Sequence, residues 1–190
     1  MDKRRVKKMG LYIIIAIVVI LVIYIISAYN GLTKLRNKVK TNWSQIDVVL
    51  KRRADLIPNL VETVKGYASH EKETLDAVVK ARNTYASAST PEDQMKASGE
   101  LTQALNRLLM LTEAYPDLKA NTNFIQLQNE LKETEDKITF ARQFYNDSVY
   151  AYQNKREMFP SNIIASMFNF KEYPFFEVDE KDKEVPHVQF

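Results

Sequence analysis

The chain has no cysteine, two histidines and four glycines in 190 residues, and each scarcity removes a class of chemistry. Without cysteine there are no disulfides, thiolate metal sites, iron–sulfur clusters or thiol nucleophiles, and cysteine usage says nothing about redox compartment. The scattered Gly10, Gly31, Gly66 and Gly99 cannot build a phosphate-cradling loop, which argues against nucleotide chemistry, and no Gly-x-Ser-x-Gly elbow presents a serine. A di-iron bundle needs inward glutamates and two Glu-x-x-His pairs on facing helices. Here Tyr67 stands three residues before His70, and Glu184-x-x-His187 is interrupted by Pro186. No metal, cofactor or catalytic residue is expected. Charge of one sign is scarce too. The net charge is +3, and Lys3, Arg4, Arg5, Lys7 and Lys8 against Asp2 more than account for it. The remainder is close to neutral and lacks the field that nucleic-acid binding requires.

What is abundant comes first in the chain. From Leu11 to Ile26 every residue is apolar or aromatic, and Ser27, Ala28 and Tyr29 extend a run that carries no charge. A helix of about 20 such residues crosses roughly 30 Å of hydrocarbon. Tyr12, Tyr24 and Tyr29 lie toward its ends, where aromatic rings suit the lipid–water interface. The run is too long for a signal-peptide core and no small-x-small cleavage pattern follows, so residues 11–29 read as a single-pass signal anchor in the cell membrane behind a basic flank, residues 1–10. The five leading bases favour a cytoplasmic N-terminus; Lys34, Arg36, Lys38 and Lys40 on the far side nearly balance them.

Residues 30–159 read as a bundle of long helices, about four and antiparallel, and residues 160–190 as an irregular aromatic-rich tail packed back on it. Leu32, Leu35, Val39, Trp43, Ile46, Leu50, Ile57, Leu60, Val64 and Tyr67 form a helical apolar stripe that continues out of the membrane segment. Pro58 predicts a kink or break, and a second break is expected near residues 66–70, with Ser69 capping the next helix to about Ser87. Thr90-Pro91-Glu92-Asp93 reads as N-cap, first-turn proline and acidic first turn. Phe124, Leu127, Leu131, Thr134, Ile138, Ala141, Tyr145, Ser148 and Tyr152 alternate steps of three and four, the signature of a coiled-coil-like seam about 50 Å long.

Three groups of residues are candidates for contact. Lys34, Arg36, Lys38 and Lys40 follow the span closely enough to meet anionic headgroups, at about 1 kcal/mol per basic residue near the surface. Lys51, Arg52 and Arg53 lie too far along the helix and read as a solvated face, with Asp47 pairing to Lys51. Asp55, Asn59 and Glu62 flank Pro58, where freed backbone carbonyls make a candidate binding notch. Asn121, Asn123, Gln126 and Gln128 are a candidate recognition face or plain surface polarity. His70 reads as an exposed first-turn residue.

Four blocks look familiar together. They are YNGLTKLRNKVKTNWSQIDVVLKRRADLIPNLVETVKGYASHEKETLDAVVKARN, AYPDLKANTNFIQLQNELKETEDKITFARQFYND, YNDSVYAYQNK and FPSNIIASMF. In combination they resemble the LemA family of bacterial membrane proteins over nearly the whole chain from Tyr29. The resemblance implies an N-terminal transmembrane helix, a soluble bundle of long helices and a role in the envelope or in membrane stress, with no catalytic residues to carry over. Some descriptions of the family place the short N-terminus outside the cell, opposite to the charge pattern. The expected function is a non-enzymatic, membrane-tethered interaction or scaffold protein. It would contact the bilayer and another membrane or envelope protein, or form a homo-oligomer, and would not bind nucleic acid. The alternatives are a docking subunit of a membrane enzyme such as a protease, and a hydrolase whose site is not recognised.

Overall fold

The computed structural model describes the backbone of residues 3–177 and the side chains of residues 8–177; the charged stretch 178–184 and the closing segment with His187 lie outside the described residues. Among the described residues the fold is all-helical: α1 (Lys3–Lys65), α2 (Lys72–Ser87), α3 (Pro91–Thr112), α4 (Pro116–Lys119), α5 (Thr122–Glu157) and α6 (Ser161–Met167). The described residues divide into two compact units, one of residues 3–41 and 147–173, the other of residues 42–146 and 174–177; α1 and α5 contribute to both.

The first unit contains the apolar run. The large side chains from Met9 to Ile23 are exposed, so that stretch of α1 packs against no other element among the described residues. Burial begins with Tyr24 and Ile25, which are half-covered, and is complete at Ala28, Leu32 and Val39. α6 stands in the segment expected to be irregular. Its Ile164 and Ala165 turn inward, spaced to share one helix face with buried Ser161, whose Oγ donates to the Met158 carbonyl. The helix ends in a Schellman motif. Phe170 N–H donates to the Ala165 carbonyl (2.9 Å) and Asn169 N–H to that of Ser166 (3.2 Å), with Asn169 at φ 51°. Asparagine tolerates this left-handed conformation better than other residues that carry a Cβ. Beyond the turn the tail lies back along α5. Arg156 Nε donates to the Phe170 carbonyl, Tyr152 Oη to Lys171 and Gln153 Nε2 to Tyr173.

The second unit holds the larger core. Ile57, Leu60 and Val64 of α1 pack with Leu75 and Val78 of α2, Leu101, Leu105 and Leu108 of α3, Leu118 of α4, and Phe124 and Leu131 of α5. Each fully buried leucine or isoleucine contributes roughly 1.5–3 kcal/mol. All nine members of the seam on α5 are buried or half-buried, as the alternating spacing predicts. Trp43 of the α1 stripe is half-buried, edge-on to Tyr145 at 5.5 Å and tilted against Phe176 at 6.4 Å. Tyr145 Oη donates to the Pro174 carbonyl, and Asn146 brackets Phe176 by accepting from its N–H and donating to its carbonyl.

Several local expectations change. α1 continues through Pro58 without a break. α2 begins at Lys72 with no side-chain cap, because the chain closes a backbone turn from Ala68 to Glu71 first and Ser69 falls short of the cap position. Tyr67 is exposed and accepts from Asn121 Nδ2 at 2.8 Å. Thr90 does cap α3: its Oγ1 accepts from the Asp93 N–H at 3.1 Å, with Pro91 in the first turn.

Candidate functional site

The apolar stripe of α1 steps by three or four except between Leu50 and Ile57, a gap of seven residues. Arg53 and Ala54 fill it. Arg53 was expected on a solvated face; instead it is 1% exposed, with its guanidinium turned into the second unit. Nη2 donates to Ser98 Oγ (2.7 Å) and to the Ser98 carbonyl (3.1 Å). Nη1 donates to Thr102 Oγ1 (2.9 Å) and to both carboxylate oxygens of Glu135 (3.1 and 3.2 Å). Nε makes no hydrogen bond. One side chain on α1 thus ties α3 and α5 together. Glu135 remains 43% exposed, so water shares the charge of the pair and its Coulomb energy is well below that of a dry ion pair. The net contribution of the ion pair to stability is therefore modest.

A second polar contact lies one and a half turns earlier on α1. Asp47 does not pair with Lys51; its Oδ1 accepts from Tyr85 Oη (3.4 Å) and Gln94 Nε2 (3.3 Å), reaching α2 and α3. Burial, and then the Asp47 carboxylate, push the Tyr85 phenol up to about 12. A third contact answers Pro58. Proline has no N–H, so the carbonyl of Ala54 four residues earlier loses its helical partner. Arg82 Nε of α2 approaches that oxygen at 3.5 Å, the outer limit of a hydrogen bond.

Lys34, Lys38 and Lys40 are exposed. Arg36 is half-buried, its guanidinium over the Phe170 ring at 5.0 Å from the centroid. Asp55, Asn59 and Glu62 are exposed along one side of α1 around Pro58, and the Asn59 carbonyl accepts from Thr63 Oγ1. The polar run at the start of α5 is partly structural: Asn121 Oδ1 accepts from the Phe124 N–H, and Gln126 donates to Glu130. His70 is exposed in the turn before α2. Open grooves run beside α2 at Asp76, Lys80, Asn83 and Thr84, and beside α5 at Gln126, Asn129, Glu130 and Glu133. Among the described residues no three His, Cys, Asp or Glu side chains converge as metal ligands. What these surfaces offer is hydrogen bonding and charge.

The LemA family model matches residues 42–190. Protein LemA of Metamycoplasma hominis is 23% identical over 174 residues, covering 91% of this chain and 79% of the relative. Magnetosome protein MamQ 2 of Paramagnetospirillum magneticum is 24% identical over 186 residues, covering 84% of this chain and 68% of its own. Magnetosome protein MamQ of Magnetospirillum gryphiswaldense is 24% identical over 174 residues, covering 78% and 64%.

Proposed function

The chain belongs to the LemA family, and we propose that it is a single-pass, membrane-tethered docking module that works by binding and performs no chemistry of its own. One observation carries this reading: α1 is long and apolar enough to cross a membrane, and its apolar side chains from Met9 to Ile23 are exposed rather than packed. Exposed apolar surface on that scale in water would drive aggregation; in hydrocarbon it is the stable arrangement. The arginine-tied helices of the second unit then serve as a rigid platform, with Asp55, Asn59 and Glu62 as a polar edge for another membrane or envelope protein. Lys34, Lys38 and Lys40 meet anionic headgroups where α1 leaves the bilayer, and the leading bases keep the N-terminus cytoplasmic.

Crosslinking in native membranes tests the docking role. A reproducible membrane-protein partner, lost with Asp55→Lys plus Glu62→Lys, is the expected result. Recovery of the same partner at the same yield from that variant removes the polar edge from the reading. Lys34→Glu with Lys38→Glu should lower photocrosslinking to phosphatidylglycerol in reconstituted bilayers; no change rejects the headgroup contact. Orientation is read by a membrane-impermeant maleimide on Ser87→Cys in intact cells, which should label the protein if the N-terminus is cytoplasmic.

A further inference from the structure

An amphipathic helix on a water-soluble surface turns one apolar face inward and polar residues outward. α6 departs from this. Ile164 and Ala165 pack inward, while Ile163 and Met167, four residues apart on the opposite side, are exposed. Met158 and Phe159 just before the helix and Phe168 just after it are exposed as well, Phe159 to 80% and Met167 to 66%. Five large apolar side chains therefore face outward within eleven residues. Tyr29 covers part of Phe168, and much of the surface of all five stays open among the described residues of the first unit.

Their place along α1 indicates what does. The Phe168 ring meets the Tyr29 ring edge-on at 4.9 Å, and Phe170 meets the same ring at 5.6 Å. Tyr29 is the last residue of the expected membrane span, residues 11–29. Cover on α1 also starts inside that span, at Tyr24, about 7.5 Å before Tyr29 along the helix axis at 1.5 Å per residue. The Schellman turn at Asn169 and the Arg36 guanidinium over Phe170 hold α6 at this level. Lys34 and Lys171 are exposed in the same unit, suited to phosphate groups at the rim of an apolar patch.

From this geometry we infer that α6 and its flanking aromatics form an interfacial membrane anchor. Met158, Phe159, Ile163, Met167 and Phe168 insert into the headgroup–acyl boundary of the same bilayer that α1 crosses. Seven residues are too few to span, so the segment lies in the interface, its apolar side roughly 5–10 Å deep. The membrane end of the protein is then a two-point attachment: a spanning helix and a short hydrophobic foot beside it. This rests on α1 being the membrane span, and the experiment separates the two claims.

The absence of cysteine makes site-directed spin labelling direct. The full chain carrying Phe159→Cys, Ile163→Cys, Ile17→Cys or Asn37→Cys, one at a time, is labelled with a nitroxide. Each is reconstituted in phosphatidylethanolamine–phosphatidylglycerol vesicles, and collision with oxygen is compared with collision with a water-soluble nickel chelate. The label at Ile17 should be oxygen-dominated and that at Asn37 nickel-dominated. Labels at Phe159 and Ile163 should shift to the oxygen-dominated side, at a shallower depth than Ile17. If Ile17 lies in lipid while Phe159 and Ile163 collide with nickel as Asn37 does, the foot is wrong and the span stands. Labels at 159 and 163 shielded from both reagents, with spin–spin broadening, would mean a second copy covers the patch and would equally overturn the proposal. A nickel-dominated Ile17 would overturn both claims.

Discussion

Glu135→Ala is the sharpest perturbation of the second unit, because among the described residues Glu135 is the carboxylate that pairs with the buried Arg53, and its loss leaves every apolar contact of the core intact. Removing one partner of a fully buried ion pair costs roughly 3–5 kcal/mol. Glu135 is 43% exposed, so water enters where the carboxylate stood, and Ser98 and Thr102 continue to accept from the guanidinium. Those two facts reduce the expected cost to about 1–2 kcal/mol, within the range for hydrogen bonds to charged groups. Arg53→Met keeps the aliphatic volume and removes the charge, and a volume-conserving exchange of this kind costs under about 1.5 kcal/mol. In the Arg53→Met background the carboxylate has no guanidinium to meet, so Glu135→Ala should cost less than about 0.5 kcal/mol there. The readout is thermal unfolding by circular dichroism in mild detergent, where about 1 kcal/mol corresponds to roughly 2–4 °C for a chain of this size. A Glu135→Ala penalty of the same size in both backgrounds would refute the coupling and reduce Arg53 to a space-filling residue.

Three further outcomes follow from single contacts. Arg82→Ala should cost up to about 1 kcal/mol because it leaves the Ala54 carbonyl without its donor, and much less in a Pro58→Ala background that restores the helical hydrogen bond; equal penalties in the two unfolding curves would dissociate Arg82 from the proline. Thr90→Ala should cost about 1 kcal/mol through the lost cap, whereas Ser69→Ala should stay within about 0.5 kcal/mol; the reverse order by thermal denaturation would place the cap where the structure does not. The phenol of Tyr85 ionises near 12 in the folded protein and near 10 when unfolded, so its stabilising contribution is complete below pH 10 and is lost as pH rises through 12. The difference in 295 nm titration between the parent and Tyr85→Phe should therefore have a midpoint near 12, and a midpoint near 10 would count against the burial of the phenol beside Asp47.

The long elements were legible because their signals are redundant. The span needs only the absence of charge, and the seam on α5 places nine residues at alternating steps of three and four, so neither depends on a single residue. Thr90-Pro91 marks a helix start by two independent means, a side-chain acceptor and a fixed φ. Ser69 offered only one, and backbone hydrogen bonds from Ala68 to Glu71 displaced it.

The polar contacts were less legible, for a physical reason. A charged residue in a helical stripe reads as surface unless its partners are known, and those of Arg53 lie 45, 49 and 82 residues away. The one available signal was the missing step between Leu50 and Ile57. Pro58 misled in the opposite direction: its local rule predicts a break, and tertiary packing around Ile57 and Leu60 keeps the helix continuous. α6 was hidden by aromatic density, which says that a segment avoids water without saying whether protein or lipid receives it.

Alkaline carbonate extraction of membranes carrying the full-length chain tests the membrane anchor most directly. The protein should remain entirely in the pellet, and Ile15→Arg with Val19→Arg, which puts two charges at mid-span, should move it to the supernatant. Intact parent protein in the supernatant would contradict the anchor and leave the exposed apolar surface of α1 to be covered by protein instead.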